Sequence, residues 1–505
     1  MILMISNGTN VQLVIPTMRL RDVAETVHDY RRNLDSYGHN EVPITVFSDA
    51  NPETEEKEYQ TLLDLGAQNV FYVGHLEKAE FLDHLIVRVG SQHAETLREA
   101  FRRPDPQQKN YGGNRNFAQL YTLGDKFMTA DDDMRPHGLF HIDRSALGEQ
   151  EVLKGQYVDK VRDKKLVELV EYDILGEVLR VLGKKVSEIH GQPYLQGNYM
   201  SDSMTDLLTN KTLGRLEPNT VSLVTGQPNP DSRIITAQTF RTGSADVDAV
   251  DYANDFLVNP NNAFVNDMSL RYVLTAFRPC VTKVNWRLDV GISSFDNTDG
   301  LPPFFPTGLR FEDYIIRLWL QKQDVAAAHV NAVQTHYKNP YNRASLGHDL
   351  WNEEMANYLK TKLGGMITDM TPLTINFEGD VHVTRDEARA IMEQKGRRYY
   401  LATIERAAEV LKNREFVAPL TPEQNANYLI GLARDLFLEF KGFDLDEFQI
   451  SMQKTVESEL DLTRRLIAVW PDLVETTREM KKQGKLPIRR VKTAQRRSDQ
   501  QQAKK

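Results

Sequence analysis

Three consecutive carboxylates, Asp131-Asp132-Asp133, follow the short apolar run FMTA (127–130) and precede Met134-Arg135-Pro136. Adjacent carboxylates repel one another unless a cation sits among them. Mg²⁺ or Mn²⁺ is the natural cation where hard oxygen ligands meet a phosphate-bearing substrate. The bare spacing is weak evidence, because Asp246/Asp248 and Asp444/Asp446 share it, and an acidic solvated turn is the bland explanation. Position decides in favour of chemistry: the triplet ends an apolar strand, where parallel sheets bind ligands. Fifteen residues upstream of Asp131 ends the segment Tyr111-Gly-Gly-Asn-Arg-Asn116. Its glycines and the following helix start could let backbone N–H groups approach a phosphate, and Arg115 adds a two-pronged donor. A plain helix cap by Asn110 or Asn114 explains it equally well. Farther on, Phe311-Glu312-Asp313 follows LPPFFPTGLR and opens a helical pattern. Acids suit a first helical turn through the helix dipole alone; the functional reading makes Asp313 a general base. His336, in Gln-Thr-His-Tyr-Lys, can add an imidazole ligand beside the carboxylates, with His329 and His348 as its rivals.

The elements that must position these residues alternate along the first 135 positions. Apolar β-rich runs at 11–15 (VQLVI), 44–47 (ITVF), 70–73 (VFYV) and 127–130 are separated by helical patterns at 19–34, 53–65, 81–89, 94–101 and 116–124. Short continuous apolar strands between helices predict a mainly parallel sheet covered on both faces. The polar residues at its strand ends are Thr17, Asp49 and Asp131 to Asp133. Residues 145–285 predict an irregular insertion with a helix over 166–182 and a turn-rich stretch at 226–232. Strand and helix signals return at 280–290 and 311–321, and helix formers dominate beyond 350, at 385–393, 399–411, 422–439 and 451–469.

Composition narrows the function classes. The 505 residues are 40% hydrophobic and 26% charged, ordinary for a chain that buries a core. The net charge of −9 hides an asymmetry, since residues 481–505 carry ten Lys/Arg against Asp499 alone. A globally basic nucleic-acid binder is disfavoured. The single cysteine, Cys280, excludes a disulfide framework within the chain and a cysteine-rich zinc site. No apolar run reaches about 18 residues, so no spanning helix is expected. The opening MILMISNGTNVQLVIPT lacks a charged leader and reads into a strand; a cytoplasmic protein is the expectation, with membrane contact at most peripheral through the basic tail.

Taken in order, VQLVIPT, FSD ending at Asp49, GGNRN, ADDD, FED and a distal His resemble the GT-A-fold, metal-dependent nucleotide-sugar glycosyltransferases, in the broad family-2-like group. The resemblance covers about 10–140 and 280–345. It implies a Rossmann-like α/β fold and a nucleotide-diphosphate-sugar donor, UDP by default. Asp131 and Asp133 then match the DxD metal positions, with Asp132 near the ribose and His336 as the distal ligand for Mn²⁺ or Mg²⁺. Pro16, Thr17, Asp49, Gly113, Asn114, Arg115, Asp131, Asp132 and Lys338 are expected at the donor. Asp313, with Glu312 beside it, matches the base of an inverting enzyme acting on a hydroxyl of a sugar, glycan or other acceptor. A retaining enzyme, in which Asp313 positions a substrate, is the alternative. A non-catalytic assembly scaffold is the other. A nucleotidyltransferase is ranked lower, because it usually has a glycine-rich loop after its first strand and VQLVIPTMRLRD offers none.

The expected organisation is a catalytic domain over 1–345, with the 145–285 insertion shaping the acceptor site. A helical C-terminal domain over 346–480, available for homo-oligomer contacts, and a basic disordered tail over 481–505 complete it.

Overall fold

The computed structural model describes residues 11–102, 110–141, 156–159, 167–189, 228–243, 271–274, 280–282, 288–310, 312–323, 325–336, 346–391 and 444–491. Expected helices at 399–411 and 422–439, and Lys338, lie outside them.

The first four strands are β1 (Val11–Thr17), β2 (Ile44–Ser48), β3 (Val70–Val73) and β4 (Lys126–Thr129). They pair in parallel in the order β3-β2-β1-β4. Alternate residues go to opposite faces. Leu13, Ile15, Ile44 and Val46 join Val23, Val27, Tyr30 and Leu34 of helix α1 (Leu20–Ser36) and Leu62 of α2 (Pro52–Leu65). Val14, Phe47 and Val73 face α3 (His75–Val89), α4 (Ala94–Phe101) and α5 (Tyr111–Tyr121). Burial on both faces is why these strands read as unbroken apolar runs. Local signals place α2: Asn51 Oδ1 accepts from Thr54 N, Pro52 opens the helix and Gly66 ends it at φ 64°.

Four short strands follow, β5 (Met134–Arg135), β6 (His137–His141), β7 (Gln156–Asp159) and β8 (Val167–Glu171), and then, after helix α6 (Ile174–Leu179), the long β9 (Arg233–Gly243). Then come β10 (Arg271–Leu274), β11 (Cys280–Thr282), β12 (Ser293–Asp296) and β13 (Val325–His336). The sheet continues from β4 through antiparallel β12 to β9, then to β13 in parallel and β11 antiparallel. The chain is therefore α/β, with a Rossmann-like parallel half and a mixed half beyond β4.

Three expectations need correction. The helix over 166–182 is strand β8 followed by the shorter α6. Within the range expected as an irregular insertion, β9 is instead an interior strand of the main sheet between β12 and β13. Nor does the C-terminal part stand apart. The helix Leu445–Lys482 packs Leu460, Leu466, Trp470 and Leu473 into the same core as Phe47, Phe101 and Phe117. Just past it, Arg489–Arg490 pairs antiparallel with Tyr72 and Phe71 of β3, and Val491 is buried. These residues fall in the stretch expected as a disordered tail.

Candidate functional site

The acidic triplet follows β4 at the centre of the sheet, and the ends of β1 and β13 converge on it. Ala130 N donates to Val14 O, continuing the ladder up to Asp131. At the end of β1 the Thr17 hydroxyl donates to Asp132 Oδ2 at 2.7 Å and accepts from Arg19 N at 3.1 Å. The Arg19 guanidinium lies over two carboxylates. Its Nε donates to Asp132 Oδ2 (3.2 Å) and its Nη1 to Asp133 Oδ2 (2.8 Å), while Nη2 donates to Asp132 Oδ1. His336 arrives through strand pairing: Thr335 and His336 lie opposite Arg135 and Met134, immediately after the triplet. Its Nε2 is 3.0 Å from Asp133 Oδ1. Residues about 200 apart in sequence are thereby brought within contact.

Arg115, on α5, closes the opposite side. Its Nε donates to Glu312 Oε1 at 2.7 Å and its Nη2 to Asp131 Oδ1 at 2.8 Å. Glu312 is placed by the loop 301–310, which lies along α5. Asn116 exchanges hydrogen bonds with both the N–H and the carbonyl of Phe304, and Gln119 Nε2 donates to Leu301 O and Pro302 O. The Phe305 N–H then donates to Glu312 O. Asp313 follows at the start of the helix Tyr314–Lys322, and its side chain makes no capping hydrogen bond there.

The glycine pair serves this packing and not a phosphate, which corrects the expectation for Gly113. A Cβ on Gly112 would sit 1.9 Å from Phe305 O, and one on Gly113 would sit 2.7 Å from Phe101 O. The Gly113 N–H is taken by Asn110 Oδ1 at 2.8 Å. Gly112→Ala is expected to destabilise the fold by about 2–3 kcal/mol through this backbone clash. The sign is diagnostic, since Gly→Ala in an unobstructed helix gains up to about 1 kcal/mol. Urea unfolding of the two proteins decides, and a stabilised variant would refute the close approach.

Of the other expected donor residues, Pro16 lies in β1 opposite Phe47, and Asp49 and Asn114 are tied together by Lys78. That lysine is only 1% exposed. Its Nζ donates to Ser48 O (2.5 Å), Asp49 Oδ1 (2.6 Å) and Asn114 Oδ1 (2.7 Å). Asn114 is buried and donates to Phe47 O, so it organises the site from beneath and is not open to a ligand.

Three site residues escaped the sequence reading: Arg19, Lys78 and Asp289. Asp289 accepts from Gly291 N at 3.1 Å, and a Cβ on Gly291 would lie 2.5 Å from Asp131 Oδ2. A cation two positions beyond a polar strand end was the only signal for Arg19. The Asp-Val-Gly turn before β12 was the only one for Asp289. The rivals resolve differently. Asp444 caps the helix Leu445–Lys482 by accepting from Asp446 N and Glu447 N. His329 is buried in β13 opposite Cys280, and His348 lies in the helix Leu346–Met366.

Burial and crowding set the charges. Burial, with Glu312 and Asp289 adding repulsion, pushes the Asp313 carboxyl up to about 7. Burial likewise raises Asp132, against the pull of Arg19, and raises Asp131, against that of Arg115. Asp133 goes the other way. Burial would lift it, but His336 and Arg19 outweigh that and hold it well below the usual carboxylate range.

No family model, curated protein or solved structure matches this chain. The site's donors suit a small hard cation, with Asp133 oxygen and the His336 imidazole adjacent and Asp131 on the same strand end. Among the described residues no group of three or more His, Cys, Asp or Glu side chains is placed to hold a metal ion, and Asp131 is paired with Arg115.

Proposed function

We propose that this chain is a metal-dependent glycosyltransferase that moves a sugar from a nucleoside-diphosphate sugar, UDP-linked by default, to an acceptor hydroxyl with inversion. One observation carries the reading. Four segments remote in sequence, ending at Thr17, carrying Arg115, following β4 and opening at Glu312, meet at the carboxyl ends of parallel strands together with His336. Such strand ends are where open α/β sheets hold nucleotides.

In this reading the nucleoside lies toward Thr17 and Asp49, and Lys78 fixes the Asp49 carboxylate that meets it. The diphosphate lies over the triplet. A divalent cation held by Asp133 and His336, with Asp131 nearby, would offset the charge of the leaving diphosphate. Arg115 holds Asp131 and Glu312 at fixed positions, which keeps the neighbouring Asp313 facing the reacting centre. Asp313 takes the proton of the acceptor hydroxyl as the hydroxyl oxygen attacks the anomeric carbon. Among the described residues no helix is long and apolar enough to cross a membrane.

Calorimetric titration of UDP-, GDP-, CMP- and dTDP-sugars, with and without Mn²⁺, tests the donor site. Wild-type protein is expected to bind one nucleotide class in a metal-dependent way, and Asp133→Ala to weaken that binding by about 100-fold or more. Failure of every nucleotide sugar to bind, with or without metal, would remove the proposal.

A further inference from the structure

The helix Tyr314–Lys322 turns Ile315, Ile316, Leu318, Trp319 and Leu320 into the core, which leaves Asp313, Tyr314 and Arg317 close together on its remaining face. The Arg317 N–H donates to Asp313 O at 3.0 Å, so the two side chains start one helical turn apart. Among the described residues Arg317 is a guanidinium without a counter-ion: no carboxylate reaches ion-pairing distance, and its Nε is buried without a hydrogen-bond partner. Glu312, next to Asp313, is turned onto Arg115 instead. Arg31, Arg115 and Arg135, also largely buried, each hold a carboxylate. Burial weakens the hold of Arg317 on its proton, and Asp313 only partly offsets this. A half-buried charge left in that state costs the fold and draws an anion. A second cation stands beside it, since Lys360 Nζ, from the helix Leu346–Met366, lies 5.2 Å over the ring of Tyr314.

We infer that Arg317 holds an oxyanion carried by the acceptor, a carboxylate or a phosphate group, one helical turn from the base Asp313. Naming the acceptor's class in this way rests on the glycosyltransferase reading above; the anion site itself stands on the unpaired guanidinium. A guanidinium fork grips either group through two parallel N–H···O bonds, and Lys360 adds positive charge nearby. The donor's diphosphate is a different anion. In that reading it lies over the triplet, and among the described residues Arg317 has no hydrogen bond or ion pair with the triplet or with Arg19. An anion on Arg317 therefore belongs to the molecule whose hydroxyl meets Asp313. A neutral acceptor would leave the guanidinium uncompensated, so the same charge that attracts acidic acceptors selects against neutral ones.

Full-length wild type, Arg317→Gln and Arg317→Lys are titrated calorimetrically with sodium acetate and with inorganic phosphate at constant ionic strength, and each is melted without either anion. Wild type is expected to bind at least one of the two, and Arg317→Gln to weaken that binding by about tenfold or more. Arg317→Lys, a point charge without the fork, should fall between, and it carries the test if the glutamine variant melts early. The anion bound more tightly names the group on the acceptor. With no protein counter-ion to lose, the variants should melt close to wild type. Their affinity for the nucleotide sugar, titrated with Mn²⁺ as above, should stay within about twofold, because the two sites share no partner. Binding of neither anion by wild type, equal anion binding in all three proteins, or early melting of both variants overturns the inference. So does a nucleotide-sugar affinity that falls about tenfold in Arg317→Gln, which moves the guanidinium to the donor. Failure of the donor reading looks different: the anion binds through Arg317, and no nucleotide sugar binds to any of the three.

Discussion

Asp313→Asn is expected to slow metal-dependent hydrolysis of the bound nucleotide sugar by about 10²–10⁴-fold, the usual worth of a positioned general base. Hydrolysis is the assay of choice because water can stand in for the acceptor hydroxyl. The substitution is isosteric and the Asp313 side chain caps nothing, so donor binding and the melting temperature should stay near wild type. The pH profile gives the sharper result. A base works only when ionised, and burial together with Glu312 and Asp289 pushes this carboxyl up to about 7. The wild-type rate should therefore be flat above about pH 7 and fall about tenfold per unit below it, and the asparagine variant should lose that limb. A variant that keeps most of the rate and the same acid limb would assign the base elsewhere. It would also favour a retaining reaction, in which Asp313 only positions a substrate.

Trp470→Ala should cost about 3–5 kcal/mol of unfolding free energy, the range for removing a large buried aromatic. Trp470 is fully buried in the helix Leu445–Lys482 and stacks on Phe101 of α4 with ring centroids 6.4 Å apart. Its indole N–H donates to Leu301 O at 2.8 Å. That carbonyl also accepts from Gln119, so it remains paired in the variant and the loss is chiefly the cavity. Leu301 begins the loop that carries Glu312 to Arg115, and hydrolysis should drop along with stability. Chemical denaturation followed by circular dichroism should show one weakened transition involving the whole protein. A loss below about 1 kcal/mol, or a transition confined to the C-terminal part, would mean that this helix folds as the separate unit its sequence suggested.

The strands of the parallel half were legible because burial on both faces leaves them almost no polar residues. The acids were legible because strand ends and helix starts are marked by abrupt changes of residue type. Partner choice was not. Nothing in Met18-Arg19-Leu20 says that Arg19 turns onto a triplet over 100 residues away, and a buried Lys78 reads locally as one more helix-surface lysine. The glycines of Tyr111-Gly-Gly-Asn-Arg-Asn116 were compatible equally with room for a phosphate and with a plain helix cap, and Asn110 supplies the cap. They make room for the carbonyl of Phe305, an approach set by tertiary packing with no local signature. Residues 166–182 misled for a different reason, since VELVE followed by a helical turn carries apolar positions compatible with either period over so short a stretch. The C-terminal helix was visible in part, over 451–469, from its helix formers, but propensity does not show what covers a helix.

The pairing of Arg489–Arg490 with β3 has a consequence for how the molecule is made. While the chain is being synthesised, β1 to β4 can assemble as soon as residue 130 or so has emerged. Until residues 445–491 follow, that young sheet has an open edge at β3 and an apolar flank waiting for Trp470 and its neighbours. Exposed edges of this kind invite pairing with other chains. At ribosomal speeds of about 5–20 residues per second the wait is on the order of tens of seconds. A nascent parallel half must therefore persist unsealed for that time, which makes it a natural client for chaperones.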